Sequence, residues 1–205
     1  MCFSATASFV ASGGLAVVGS ATLRLASKKQ RMIAVIPLLF AIQQAIEGIQ
    51  WLAIDSGRVC LLAGYGFVFF ALLLWPVYIP LTVYVMDRKR RNITRWFLAL
   101  GIVLASYFLF ILFRAPMEIQ VMKLGIYYKI GMLFGEVTGT LYFIAICGAL
   151  FTSSIRAYRI FGVFAFTSAF ITALFSRLTF TSVWCFFAAL LSALIYFYIK
   201  ENRGK

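Results

Sequence analysis

The sequence contains no histidine, and only six of its 205 residues are acidic. Without imidazole, the zinc hydrolases and Ser–His proteases that work inside membranes are excluded, because their metal ligands or their base would be missing. Charged residues of both signs make up only 12% of the chain, about half the usual globular share. Hydrophobic residues make up 63%, more than a soluble domain of this size can bury. The composition therefore predicts an integral membrane protein.

Cysteine is also scarce, and its four copies form no CxxC pair. That spacing excludes quinone-linked thiol oxidases and does not support a disulfide framework. The last apolar segment lacks a lysine in its middle for a retinal Schiff base, and no glycine-rich phosphate loop is present. We therefore expect no cofactor, and an enzyme is the least favoured class, although carboxylate-based chemistry stays open.

Apolar runs long enough to cross a bilayer recur along the whole chain. Seven transmembrane helices are predicted, at roughly 3–25, 32–54, 61–86, 96–113, 131–152, 160–176 and 180–199. Together they form one all-α domain over residues 1–205. The first charged residue is Arg24, so the first apolar run is expected to remain as a helix rather than to be cleaved as a signal peptide.

The basic residues collect in alternate loops. If the N-terminus lies outside, 14 of the 19 Lys and Arg residues fall on the inner side, as the positive-inside rule requires. We therefore predict a multi-pass protein of the plasma or inner membrane, with its N-terminus outside and its C-terminus inside. The net charge of +13 then reflects topology and contact with anionic membrane lipid, and nucleic acid is not expected as a partner. The oligomeric state is left open.

Three local patterns add detail. A stripe of small residues recurs every four positions in the first span, and it predicts close packing against a neighbouring helix; its members are Ser4, Ser8, Ser12, Ala16 and Ser20. Pro76 and Pro80 predict a bend in the third span. The segment 114–130 mixes apolar and charged residues, and we predict a short amphipathic helix on the membrane surface there.

The second span carries polar residues where hydrocarbon is expected, in the run AIQQAIEGIQWLAID. Gln43, Glu47 and Gln50 share one helical face, with Trp51 beside them. That face is expected to turn away from lipid, because a carboxylate in the bilayer costs roughly 2.5–3.5 kcal/mol on insertion scales.

The fifth span carries a second acid, Glu136, with Thr140 one turn away. Both glutamates are expected in the outer third of the membrane, so we predict that they line one outward-facing polar pocket that binds a small ion or molecule. The alternative is that each acid pairs with a cation, for which Arg114, Lys129 and Arg177 are the candidates, and only fixes helix packing. Cys2 and Cys185 lie at a similar depth, where they are candidates for a soft-metal site, a disulfide or simple apolar packing.

The runs MCFSATASF, IPLLFAIQQAIEGIQW, WPVYIPL and SVWCFFAALLS resemble a family of prokaryotic membrane proteins of unknown function. The resemblance covers most of the chain. It implies a shared fold and places Cys2, Glu47, Trp51 and the Trp184–Cys185 pair in the family signature, but it implies no activity.

These patterns favour a small transporter or permease for a cation, a proton or a small amine, with Glu47 and Glu136 as the binding groups. A seven-helix sensor that binds a small ligand outside is the alternative, and its short basic inner loops argue against it. An intramembrane enzyme is the third possibility.

Overall fold

The computed structural model describes residues 4–122, 125–131, 135–175 and 177–202. Within these ranges, seven helical segments are long and apolar enough to cross a membrane. They are Ala5–Leu25, Lys28–Asp55, Leu61–Met86, Arg88–Arg114, Gly135–Thr152, Arg156–Phe175 and Phe180–Glu201. The predicted all-α fold with seven transmembrane helices is thus confirmed.

Several of these segments consist of more than one regular piece. The α-helices are α1 (Ala5–Leu25), α2 (Arg31–Ala34), α3 (Ile36–Asp55), α4 (Leu61–Val68), α5 (Trp75–Met86), α6 (Arg91–Arg114), α7 (Gly135–Thr152), α8 (Arg156–Phe175), α9 (Phe180–Ser192) and α10 (Leu194–Glu201). Short 3₁₀ turns at Lys28–Gln30 and Arg88–Arg90 lead into α2 and α6, and a π-helical turn at Phe69–Leu74 joins α4 to α5.

The first two spans pack closely because small residues separate their backbones. The Ser12 hydroxyl donates to the Ala41 carbonyl at 2.8 Å. A Cβ atom added at Gly19 would lie 2.7 Å from a Leu38 side-chain carbon, so only glycine permits this approach. This contact fixes the position of α3, which carries the polar run.

The third span is irregular where the prolines begin. The Trp75 N–H bonds to the carbonyl of Phe70, five residues earlier, as in a π-helix. Pro76 has no N–H to continue that pattern to Ala71, and the Tyr142 hydroxyl donates to the Ala71 carbonyl instead. A side chain from α7 therefore satisfies the group that the proline leaves unpaired, and the irregular turn is held against α7.

The predicted surface helix in 114–130 is wrong, because part of this segment forms an antiparallel hairpin. Strand β1 (Glu118–Met122) pairs with β2 (Gly125–Lys129), with Glu118 opposite Lys129. The Lys129 ammonium lies 3.0 Å from the Glu118 carboxylate, and this hydrogen bond and charge raise the pKa of Lys129. Alternation of apolar and polar residues in EIQVM has the period of a strand, which the mixed composition concealed.

At the opposite end of the bundle, Asp87 ties two turns together. Its carboxylate accepts from the Ser153 hydroxyl at 2.9 Å and from the Ser154 hydroxyl at 2.7 Å. Burial acts to raise the pKa of Asp87, but hydrogen bonds from Ser154, Ser153 and the Arg90 backbone outweigh it, and the pKa lies below its ordinary value. The turn between α5 and α6 is thereby joined to the turn between α7 and α8.

Candidate functional site

The polar run of α3 faces the interior of the bundle, as the helical spacing predicts. Its members are all buried: Gln43, Gln44, Glu47, Gln50 and Trp51. Only 2% of Glu47 is exposed, which is unusual for an acid. We call these five residues the polar face of α3.

The Glu47 carboxyl group is held by two neutral donors. The Ser182 hydroxyl from α9 donates to its Oε1, and the Gln44 side-chain amide lies 3.4 Å from its Oε2. Among the described residues, no lysine or arginine forms an ion pair with it. A carboxyl group buried without a base is stable only if it is protonated or if it binds a cation.

A second hydrogen bond connects the polar face to the third span. The Trp75 indole N–H donates to Oε1 of Gln43 at 2.8 Å, and Phe40 stacks on Trp75 with ring centroids 4.0 Å apart. The Cys185 thiol of α9 interacts electrostatically with the Glu47 carboxyl group. Three spans, those that contain α3, α5 and α9, therefore meet around Glu47.

The hairpin closes the end of the bundle nearest to Glu47. Tyr128 of β2 is buried, stacks on Phe67 with ring centroids 4.7 Å apart, and interacts electrostatically with Glu47. Burial and the adjacent Glu47 carboxyl group raise the pKa of Tyr128 well above its usual range. The hairpin also contacts α9, since a Cβ added at Gly125 would lie 3.2 Å from the Ser182 hydroxyl.

Several polar atoms in this region have no hydrogen-bond partner in the described part of the chain. They are Nε2 of Gln43, Oε1 of Gln44, both amide atoms of Gln50, the Trp51 indole N–H and the Tyr128 hydroxyl. An unpaired buried polar group costs about 1–3 kcal/mol, so six such atoms near one carboxyl group need an explanation. Water or a small polar solute bound between them would satisfy them.

A small apolar cavity lies next to the site. This cavity of about 30 Å³ is lined by Trp75 and Cys185 together with apolar side chains such as Phe40 and Tyr142. The described residues that line this cavity include no glutamate or glutamine, so its volume does not measure the space around the Glu47 carboxyl group.

The comparisons with known proteins point to one family. The model of a family of unknown function, DUF6629, matches residues 1–205. The chain belongs to this family. The resemblance to a family of unknown function is thus confirmed, and no curated protein or solved structure shows a significant match to the chain.

The second glutamate of the DUF6629 chain lies elsewhere on the surface. Glu136 is in the first turn of α7, and both Glu136 and Thr140 are exposed. Glu136 is therefore not buried as expected, and its place in the first turn of α7 is one where the helix dipole favours negative charge. No hydrogen bond or charge interaction between the described residues joins Glu136 to Glu47.

The proposed cations do not neutralise either acid. Arg114 and Arg177 are exposed, and the Arg114 guanidinium stacks on Phe110, with its central carbon 4.9 Å from the ring centroid. Neither forms an ion pair with a described acid, and the third candidate, Lys129, pairs with Glu118. The alternative in which Glu47 and Glu136 are each paired with one of these cations is therefore not supported by the geometry.

Of the two cysteines expected as metal ligands or as a disulfide pair, one lies in the described part of the chain. Cys2 lies outside the described residues, while Cys185 is a buried free thiol. In the ranges that the structure covers, no group of three or more acidic or cysteine side chains is placed to hold a metal ion. The contacts of Cys185 are those of a small side chain packed within the site of this DUF6629 protein.

Three residues of the site were not among the sequence candidates: Trp75, Tyr128 and Ser182. Two of them lie in the family-like runs WPVYIPL and SVWCFFAALLS, so those runs already contained the signal for Trp75 and Ser182. Tyr128 had no such signal, because its position depends on the hairpin.

Proposed function

We propose that this protein is a small permease of the cell membrane that carries a proton or a small cation through Glu47. The main supporting observation is a buried carboxyl group whose hydrogen-bond partners, Ser182 and Gln44, are neutral. Acids without a base inside a membrane protein commonly mark ion or proton pathways.

The unpaired amides support transport over a purely structural role. If the polar face only fixed helix packing, its donors and acceptors would be matched to each other. Instead, within the part of the chain that the structure describes, both amide atoms of Gln50 are unpaired and Gln44 offers a free acceptor next to Glu47. These groups are suited to solvate a migrating ion or the water that carries a proton.

The burial of Glu47 narrows the substrate class. Its carboxyl group is enclosed and its hydrogen-bond partners Ser182 and Gln44 are neutral, which favours a proton or a small cation over an amine with a carbon skeleton. In the proposed topology, with the N-terminus outside, the hairpin lies on the outer side and covers Glu47. Glu136 has no part in this proposal.

Reconstitution into liposomes with a trapped pH-sensitive dye tests the proposal. An imposed gradient of Na⁺, K⁺ or H⁺ is expected to produce a pH change or ion flux with the native protein, and Glu47→Gln is expected to abolish it. Glu136→Gln is the matched control, because it makes the same chemical change at an exposed acid. Flux through the Glu136→Gln protein should equal the native flux.

Two results would contradict the proposal. One is equal flux in the native and Glu47→Gln proteins, with both shown to be folded by size-exclusion chromatography. The other is ion binding that depends on Glu47 without any flux, which is the result expected of the sensor alternative.

A further inference from the structure

A larger cavity lies at the opposite end of the bundle from Glu47. It has a volume of about 560 Å³, within the range of about 300–1,000 Å³ found for small-molecule sites. Its walls are mainly apolar and include Ile33, Ile79, Leu150, Phe161, Phe164 and Leu194. It is therefore suited to a hydrocarbon group.

The cavity opens sideways onto the apolar outer surface of the bundle. Phe164 and Ile160 both line it, yet 48% of Phe164 and 43% of Ile160 are exposed. In a span that crosses a membrane, such a surface faces lipid chains. A ligand can thus enter from the bilayer, without passing through water.

One end of the cavity carries opposite charges. Arg156 at the start of α8 and Glu201 at the end of α10 both line it and are both exposed. Neither Arg156 nor Glu201 forms an ion pair with another described residue, and the two do not pair with each other. Asn202 lines the same end and donates to the Tyr198 carbonyl at 2.9 Å, while its amide oxygen accepts no hydrogen bond from the residues that the structure describes.

We propose that this cavity binds a zwitterionic phospholipid with a primary ammonium head group, of the phosphatidylethanolamine type. One acyl chain fills the apolar cavity, Arg156 binds the phosphate, and Glu201 with the Asn202 amide oxygen accepts hydrogen bonds from the ammonium group. An apolar cavity that ends in a cation and an anion, neither of them in an ion pair with a described residue, is complementary to this kind of molecule. The site is separate from Glu47, so it is independent of the proposed permease function.

Native mass spectrometry of the full-length protein in detergent tests this proposal. The delipidated protein is titrated with phosphatidylethanolamine, phosphatidylcholine and phosphatidylglycerol of identical acyl chains. We expect one phosphatidylethanolamine to bind most tightly, since a choline group cannot donate a hydrogen bond and a glycerol group carries no positive charge. Arg156→Gln is expected to weaken binding about tenfold, the change that follows from losing one charge-assisted hydrogen bond.

Two further variants make the result specific. Glu201→Gln is expected to remove the preference for phosphatidylethanolamine over phosphatidylglycerol while the acyl chain still binds. Lys200→Gln, at an exposed position that does not line the cavity, is the matched control and should bind like the native protein.

The proposal is overturned by equal binding of the three lipids to the native protein, by a preference that Glu201→Gln leaves unchanged, or by the same loss in Lys200→Gln as in Arg156→Gln. If Arg156→Gln is unfolded, Arg156→Lys replaces it. This variant keeps the charge but loses the two-pronged contact with phosphate, so it should show a smaller but measurable loss of affinity.

Discussion

At the scale of single residues, the environment of Glu47 depends on one hydroxyl group. Ser182 lies 135 positions from Glu47 along the chain and donates a hydrogen bond to its carboxyl group. Among the described residues, the only other side chain that donates to this carboxyl group is the more distant Gln44 amide. The same serine also contacts the hairpin at Gly125. Ser182 therefore connects the acid, α9 and the hairpin.

Ser182→Ala should lower the stability of the protein. Without the hydroxyl, one oxygen of Glu47 is buried with no donor, which costs about 1–3 kcal/mol. The measurement is the shift in thermal unfolding midpoint of the purified protein in detergent.

Ser106→Ala provides the matched control for that substitution. Ser106 is exposed and donates to the Ile102 carbonyl of its own helix at 2.9 Å, so its loss should change stability by less than about 0.5 kcal/mol. Equal shifts for the two variants would mean that Ser182 does not support Glu47.

The sequence predicts the environment of one glutamate, Glu47, but not that of the other, Glu136. Burial of Glu47 was predictable, because Gln43, Glu47 and Gln50 recur on one face of a long apolar helix. The position of Glu136 was not, because it depends on the residue at which α7 begins. Composition places the ends of a span only to within a few residues, so it does not decide whether an acid lies within the span or at its end.

At the scale of helices and strands, glycines determine which spans approach each other. A Cβ added at Gly101 in α6 would overlap the Pro76 carbonyl oxygen in α5. That oxygen lacks the usual helical donor four positions later, because residue 80 is also proline. The close approach of α6 therefore covers a backbone group that the prolines leave unsatisfied.

Gly101→Ala should separate α5 from α6. The clash is with backbone rather than with a flexible side chain, so one or both helices must move, at a cost of about 1–3 kcal/mol. Gly13→Ala is the control, since nothing lies within 4 Å of its added Cβ. Thermal unfolding of both variants checks the prediction, which fails if Gly101→Ala is as stable as Gly13→Ala.

The link at Asp87 should make stability depend on pH. The native pKa of Asp87 lies below its ordinary value of 3.8, so the folded state binds the proton less tightly than the unfolded state does. The stabilisation of the folded state by ionised Asp87 is complete above pH 3.8 and is lost as the pH falls through the native pKa. Thermal unfolding midpoints measured from about pH 6 down to about pH 3 should therefore decrease towards the acid end.

Asp87→Asn should reduce that acid sensitivity and lower stability at neutral pH. Asn accepts fewer hydrogen bonds from Ser153 and Ser154 than a carboxylate does, and these bonds join two turns of the bundle. Asp55→Asn, at an exposed acid, is the comparison and should leave the acid profile unchanged. An unchanged profile in Asp87→Asn would contradict the assignment.

The hairpin marks the limit of prediction at this scale. Its strands are five residues each, and β-branched Ile119, Val121 and Ile126 favour them, but apolar residues in so short a segment also fit a helix. The contacts that decide between a strand and a helix in this segment come from distant spans. Ile119 enters the space left by Gly64 in α4, and Tyr128 stacks on Phe67.

At the scale of the whole molecule, the two ends differ in chemistry. One end carries the hairpin and the enclosed polar face of α3, while the other carries the basic turns, the Asp87 link and the larger cavity. Seven spans were predictable because crossing a membrane requires only apolar length, a local property. Which residues meet inside the bundle was not, since bonds such as Trp75 to Gln43 join positions 32 apart.

The orientation of these two ends is a prediction of the charge distribution. Basic residues such as Lys89 lie at the end opposite to the hairpin, so the positive-inside rule places the hairpin outside. In a variant whose four native cysteines are replaced by alanine, Gln120→Cys in the hairpin should react with a membrane-impermeant maleimide added to intact cells. Lys89→Cys should react only after permeabilisation, and both positions are exposed in the structure. The reverse labelling pattern would place Glu47 near the inner surface, and the proposed permease would then bind its ion from the cytoplasm.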